Sequence, residues 1–460
     1  MASAHGSDSS KRKHLRHPDK VTYILGAGFS RPAGFPLLRD FLQQSLRILK
    51  EQPGAKDKGW GELDREAAEG FLGLMDKYAP IAARVGIDLN NLEDLFCLVD
   101  LPDEEPRDPG GLSRDGERSI LNNMIVRTLA RAQRKHDSSP HEGSEKHPCL
   151  ALHRRYLYTD YGAEVHLECP SRGSSFGVCL YEAFVSYLLH SQRLRQPESA
   201  KPVYDLDAVI TLNYDLILER AIVHFEGAQY YYGEVFGDEN PAPEGTPEEK
   251  SLRARWRRLG KNQDKYTKMI PIVKLHGSIN WYREEDTEGG ASGAMEVPKI
   301  AETCDPCTKR VNAARVPLVA PTWRKEVSEE TKTVFTTLMK DAIAHLRHAS
   351  KIVIIGYSMP ATDKYFRYVL AKGLETHEFP EIEIWNVESR AAMKSRIEDM
   401  FGSHAMSHRP IRYRRGGLDA FLAAHSRDRL SRRLVPPIRK RLTGRDEKRH
   451  QHHGRDANRP

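Results

Sequence analysis

The feature that most constrains this chain is a recurrence of short, near-continuous runs of Val and Ile. They fall at Val21–Leu25, Asp207–Thr211, Pro271–Leu275, Lys351–Ile355 and Glu381–Val387, with a further run at Val316–Ala320. Strands that are apolar on both faces are covered on both faces, which marks a parallel sheet packed between helices. Helical patterns separate most of the runs. Pro36 opens one, with Leu37, Leu38, Phe41, Leu42, Leu46 and Leu49 at amphipathic spacing. Residues 61–135 read mainly as helix, with Phe71, Leu72, Leu74 and Met75 on one apolar face and Leu92, Leu95 and Phe96 on another. Cys97 lies in that second run and is expected in the core. A further helical run spans Val178–Leu189, and no internal repeat is visible. The expected fold is α/β: a Rossmann-like parallel sheet with helices on both faces, and a helical module inserted at about 60–200.

Polar segments punctuate this pattern. A leader at 1–20, a loop at Leu101–Asp115, a low-complexity stretch at Lys135–Pro148 and surface insertions at 236–265 and 283–315 are short of core-forming residues. The net charge of +7 is local, because Arg427–Pro460 holds 12 Lys and Arg against 4 Asp and Glu and leaves the rest near −1. Residues 426–460 are expected to be a basic, disordered tail, which either attracts nucleic acid through phosphate contacts or only aids solubility. No run approaches the roughly 20 apolar residues of a membrane helix. The first 20 residues lack the apolar core of a secretory signal, so a cytoplasmic protein is expected. Six cysteines make no disulfide framework. Only Cys304 and Cys307 stand at metal-ligand spacing, and they supply two of the four ligands a structural zinc needs, so a plain loop is the competing reading.

Each strand-like run ends in a polar motif. In doubly wound sheets, ligands bind outside the carboxyl ends of the strands. The first motif, Gly26-Ala27-Gly28-Phe29-Ser30, allows a sharp turn and close approach of an anion near a helix start, although any strand-to-helix turn also uses glycine. Arg31 stands where a dehydrogenase fingerprint has its third glycine. Asn213 and Asp215 follow the second strand; helix capping accounts for Asp215 and less easily for Asn213. His276-Gly277 follows the third strand, where an imidazole can face a cleft as a general base. Gly356-Tyr357-Ser358 offers donors to a phosphate or ribose, and Asn386-Val387-Glu388 offers groups that read ribose hydroxyls or an adenine edge, each with turn chemistry as its alternative.

In this order the five motifs resemble the sirtuin superfamily, and most closely the bacterial SIR2-like domains of anti-phage defence proteins. The resemblance covers about Val21 to Ala424 and rests on Asn213-Tyr214-Asp215, Leu275-His276-Gly277-Ser278-Ile279-Asn280-Trp281 and Gly356-Tyr357-Ser358-Met359-Pro360. It implies a SIR2-like NAD-binding domain at 21–425, with NAD as ligand and substrate. Gly26, Ala27, Gly28, Phe29, Ser30 and Pro36 would line the pyrophosphate and its ribose, Gly356 and Ser358 the phosphate–ribose region, and Asn386 the adenosine end. Asn213 and Asp215 would flank the nicotinamide ribose, with His276 as base. Three departures count against a protein deacylase: Pro36-Leu37-Leu38-Arg39 lacks the acid of the sirtuin Pro-Asp-Phe-Arg, 317–325 lacks Phe-Gly-Glu, and the four-cysteine ribbon is reduced to Cys304 and Cys307. The expected activity is hydrolysis of NAD+ to ADP-ribose and nicotinamide. A homo-oligomer, a regulatory protein partner or the helical module covering the cleft is expected to restrain it. A deacylase and a non-catalytic NAD or ADP-ribose sensor with a nucleic-acid-binding tail are the alternatives.

Overall fold

The computed structural model describes residues 20–50, 60–100, 114–138, 152–153, 177–178, 180–195, 207–223, 229–233, 236, 269–282, 299–300, 318, 329–375, 379–408 and 411–426. In chain order the elements open with β1 (Val21–Leu25), α1 (Ala27–Ser30), α2 (Phe41–Lys50), α3 (Trp60–Val85), α4 (Leu92–Val99), α5 (Arg114–Ser138), β2 (Leu152–His153), β3 (Gly177–Val178) and α6 (Leu180–Arg195). There follow β4 (Ala208–Thr211), α7 (Ile217–Val223), β5 (Gln229–Tyr231), β6 (Met269–Lys274), β7 (Trp281–Tyr282) and β8 (Lys299–Ile300). The last group is α8 (Glu329–His348), β9 (Lys351–Ile355), α9 (Lys364–Gly373), β10 (Glu381–Asn386), α10 (Arg390–His408), β11 (Arg412–Arg415) and α11 (Leu418–Ser426).

Seven strands form one sheet in the order β11-β10-β9-β1-β4-β6-β5, and every pairing is parallel. Helices flank it, as expected of a Rossmann-like α/β fold. β1 lies at the centre with all five of its residues buried: the Thr22 hydroxyl donates to the His345 carbonyl at 3.1 Å, and Ile24 has no exposed surface. Burying a side chain of this size contributes about 1.5–3 kcal/mol. Register is fixed at the amino end of the sheet, where the Val21 N–H donates to Asp207 Oδ1 at 2.8 Å and the Ser191 hydroxyl donates to Asp207 Oδ2 at 3.2 Å. β1 therefore pairs Thr22 with Ala208 on one side and Val21 with Lys351 on the other.

Between β1 and β4, α2, α3, α4 and α5 pack on one another, while α6 packs against α7 and α11. The sequence places an expected helical module at about 60–200, and α2 lies ahead of it. Asn91 starts α4, its side chain accepting from the Glu93 N–H at 3.1 Å. In α5, Arg131 Nε lies 2.6 Å from Asp64 Oδ2 of α3, a buried pair that ties the two longest helices together.

Several expectations change. Two strands of the seven-stranded sheet were not anticipated, nor were the short pairs β2–β3 and β7–β8: β5 is a short aromatic run, and β11, Arg412-Tyr413-Arg414-Arg415, is a polar edge strand with no buried residue. Cys97 is exposed, because it faces away from the side on which Leu95, Phe96 and Leu98 are buried. Leu72 is likewise 44% exposed, one position off the buried Phe71 and Leu74. Arg114 and Asp115 are helical rather than loop, and Val178 pairs with Leu152 instead of starting α6. Of Val316–Ala320 only Leu318 is described. Residues 1–19 and 427–460, Cys304, Cys307 and nearly all of the two surface insertions lie outside the described residues. No helix among the described residues is long and apolar enough to cross a membrane, and no His, Cys, Asp and Glu cluster among them is able to hold a metal ion.

Candidate functional site

At the carboxyl ends of β1, β4, β6, β9 and β10 lies a cavity of about 310 Å³. β1 is where the strand order turns back, with β4 on one side and β9 on the other, so the cavity occupies the switch point of the sheet. Gly26, Ala27, Gly28, Ser30, Pro36, Asn213, Asp215, His276, Gly356, Ser358 and Asn386 all line it. Segments some 330 residues apart in the chain thus face one space.

Phe29 is the expected site residue that corrects the sequence reading. Its side chain is buried in the core, with its ring centroid 5.3 Å from both Tyr181 and Phe184 of α6. It anchors the glycine turn rather than lining the cavity. The Tyr181 hydroxyl adds to this anchor, donating to the Phe29 carbonyl at 3.1 Å and accepting from the Ala33 N–H at 3.2 Å.

The glycines have a structural reason that spacing alone did not show. Gly26 N–H donates to the Ile355 carbonyl at 3.1 Å and Gly28 N–H to the Gly356 carbonyl at 2.8 Å. A Cβ on Gly26 would lie 2.6 Å from Tyr357 Cα. The first and fourth motifs therefore touch backbone to backbone, and these two amides serve that contact rather than an anion. Gly356 holds φ +68, and the following buried Met359 has φ +55, an uncommon left-handed value for a residue with a side chain.

Asn213 is held by its amide nitrogen, which donates to the Gly26 carbonyl and to Ser30 Oγ, both at 3.0 Å. That leaves Oδ1 as the polar atom of this side chain for a ligand. Ser30 in turn hydrogen-bonds the Asp215 carboxyl. Asp215 also accepts from the Ile217 N–H at 3.1 Å, the capping role read as its alternative. Burial raises the Asp215 pKa, while the Lys274 ammonium, the Ser30 hydroxyl and the Ile217 N–H act against that rise. Lys274 is itself buried, with Nζ 2.8 Å from Glu219 Oε1 and 2.5 Å from the Asp215 carbonyl. His276 is 2% exposed, with the ring of Tyr214 at 6.2 Å and that of Tyr365 at 6.5 Å.

Asn386 turns both ends of its amide to the backbone: Nδ2 donates to the Tyr357 carbonyl at 3.1 Å and Oδ1 accepts from the Glu388 N–H at 3.0 Å. It shapes the rim where the sequence suggested a reader of the adenosine end. Arg396 of α10, missed from sequence, lines that rim, donating to the Ser358 carbonyl at 2.8 Å and pairing with Glu388 at 2.5 Å. Arg31 and Arg39 are exposed on the wall near the glycine turn. The inserted module also reaches the cavity, through Asn91, Leu92 and Glu93 of the α4 start and Leu129 of α5. An amphipathic pattern shows which helical residues are buried, but not that a helix end meets a distant loop.

Residues 207–399 match the sequence profile of the SIR2-like domain family. The match spans less than half of the chain. The matched span holds Asn213, Asp215, His276, Gly356, Ser358 and Asn386, and the fold adds the glycine turn of 26–30 to the same cavity. A crystal structure of Sir2 in complex with the inhibitor EX-527, 2'-O-acetyl-ADP-ribose and deacetylated p53-peptide is similar to this chain at 11% identity. The similarity covers 88% of this chain and 91% of that one, with a TM-score of 0.30. Comparison with curated proteins gives no match.

Proposed function

We propose that the chain hydrolyses NAD+ to ADP-ribose and nicotinamide. The observation that carries this reading is the meeting of Asn213, Asp215 and His276 with the glycine turn in one cavity. The match of residues 207–399 to the SIR2-like domain family supports NAD+ as the substrate. The cavity fits such a ligand in kind: its volume is within the usual range of roughly 300–1,000 Å³. One wall carries the cationic Arg31 and Arg39, suited to a pyrophosphate, and another holds a buried imidazole.

Cleavage breaks the bond between C1' of the ribose and the pyridinium nitrogen. The electron pair stays with the ring, which leaves as neutral nicotinamide and needs no proton. A water oxygen bonds C1', and the water gives up one proton. The transition state is cationic at the sugar, as in glycoside hydrolysis. The site must therefore orient the sugar, place one water and exclude the rest. Asn213 Oδ1 accepts a hydrogen bond from that water or from a ribose hydroxyl, since Nδ2 is committed to Gly26 and Ser30. His276 accepts the proton. Asp215, tied to Ser30 and Ile217, holds Asn213 in place through the shared serine.

Depletion of NAD+ in anti-phage defence is the setting the family resemblance implies, with turnover restrained until a trigger acts. The test is chromatography of NAD+ incubated with the purified chain, with and without an acyl-lysine peptide. Nicotinamide and ADP-ribose are expected without peptide, and His276→Ala and Asn213→Ala are each expected to slow release by about 100-fold or more. Parental rates in both variants overturn the assignment. Release that requires the peptide identifies a deacylase, and binding without turnover identifies a sensor.

A further inference from the structure

We propose that Glu93 is a positioning residue of this site: it ties the inserted helical module across the cavity to the Thr362–Asp363 turn, and the tie holds while its carboxyl keeps a proton. Its role in turnover rests on the hydrolase reading above; the tie does not.

Glu93 stands in the first turn of α4, lines the cavity and is 2% exposed. The Thr362 hydroxyl donates to Glu93 Oε2. Among the described residues Oε1 has no hydrogen-bond partner. An ionised oxygen buried without a donor is costly, whereas a protonated one is far less so. The neighbouring acid sharpens this. Asp363 accepts from the Tyr357 hydroxyl at 2.8 Å and from the Phe366 N–H at 3.1 Å, the arrangement of an ionised carboxylate capping a helix. Of the two carboxyls, the proton therefore belongs to Glu93.

The surroundings of Glu93 are mostly acidic or neutral. Its own helix contributes Asp94, Cys97 and Asp100, and the α9 side contributes Asp363 and Tyr365. Tyr214 and Tyr357 face it from the loops after β4 and β9, with His276 beyond the Tyr214 ring. Arg118 of α5 pairs with Asp100 at 3.6 Å, while Arg39 and Asp40 come from the turn before α2, which packs against α4. Burial, then the charges of Asp363 and Asp94, push the Glu93 pKa up to about 8 from 4.5. An open wall would expose Glu93 to water, where it ionises near 4.5. The closed wall is thus favoured at low pH, weakens as pH rises from 4.5 to about 8 and is constant above. Closure sets the far wall against Tyr214, whose ring lies against His276, so loosening the wall loosens the base.

The experiment is hydrogen exchange of the α4 amides in the full chain between pH 5.5 and 9, corrected for intrinsic rates, alongside the pH profile of kcat for NAD+. In the parent, the opening constant of α4 is expected to rise at least ~10-fold up to pH 8, one unit of pKa difference being tenfold. In Glu93→Gln it is expected to stay flat, and the fall in kcat expected of the parent as pH rises to about 8 is expected to vanish. Thr362→Val, which keeps the carboxyl and removes its donor, is expected to raise α4 opening at pH 6. The same slope of exchange in the parent and Glu93→Gln overturns the tie. Matching alkaline limbs of kcat in the two overturn the positioning role. A parent that turns over no NAD+ at any pH overturns the hydrolase reading instead, and exchange still decides the tie.

Discussion

A methyl group on Gly28 would lie 2.8 Å from both Gly356 Cα and the Gly356 carbonyl oxygen, backbone atoms that cannot swing aside. Gly34, six residues on, has φ +89 and nothing within 4 Å of the same added atom. The two glycines therefore predict different outcomes. Gly28→Ala forces the first and fourth motifs apart, at about 1–3 kcal/mol for an overpacked site, and is expected to weaken binding of any ligand at the turn. Gly34→Ala meets only the left-handed backbone, about 1–2 kcal/mol, and is expected to leave binding unchanged. Urea midpoints beside a ligand titration separate them. The spacing of Gly26 and Gly28 was legible in the sequence, but not the reason for it, since the atoms they avoid are some 330 residues away. Phe29 was misplaced for a related cause: inside a loop motif, nothing marks which side chain turns back to the core.

Among elements, β6 and α7 share a buried cation. Lys274 is 1% exposed and reaches Glu219, which also accepts from the Tyr232 hydroxyl at 2.9 Å. Lys274→Met leaves the Glu219 carboxylate buried without its cation, a loss of about 3–5 kcal/mol. Pairing it with Glu219→Gln is expected to recover much of that loss, as a double-mutant cycle by chemical denaturation will show. The five site-bearing strands were readable because their Val and Ile runs are buried on both faces. β11 was not, because an edge strand of Arg and Tyr carries no such signal, and β5 was too short. α4 read as an apolar helix from Leu92, Leu95 and Phe96. Glu93 carried no signal in the sequence, because an acid in the first turn of a helix is ordinarily explained by the helix dipole, and its burial follows from a partner loop near residue 362.

For the whole molecule, the end of the sheet away from the cavity sets the response to acid. His345 of α8 is buried, its Nδ1 2.9 Å from Lys20 Nζ. Burial, and then the Lys20 and His348 charges, hold its pKa well below 6.5. A depressed histidine stabilises the fold fully above its unfolded pKa, and that contribution is lost as pH falls below about 6.5. Glu93 acts in the opposite sense, so the comparison of variants carries the test. The urea midpoint of His345→Gln is expected to fall less than that of the parent between pH 7 and 5. The insertion has a further consequence, in time rather than space. β1 pairs with β4 and β9, the nearer of which begins about 180 residues later in the chain, so at 5–20 residues per second its first partner leaves the ribosome roughly 10–40 s after it does. The opposite wall of the glycine turn, Gly356, follows some 330 residues after Gly26, so the cavity stays unfinished long after that first pairing is possible.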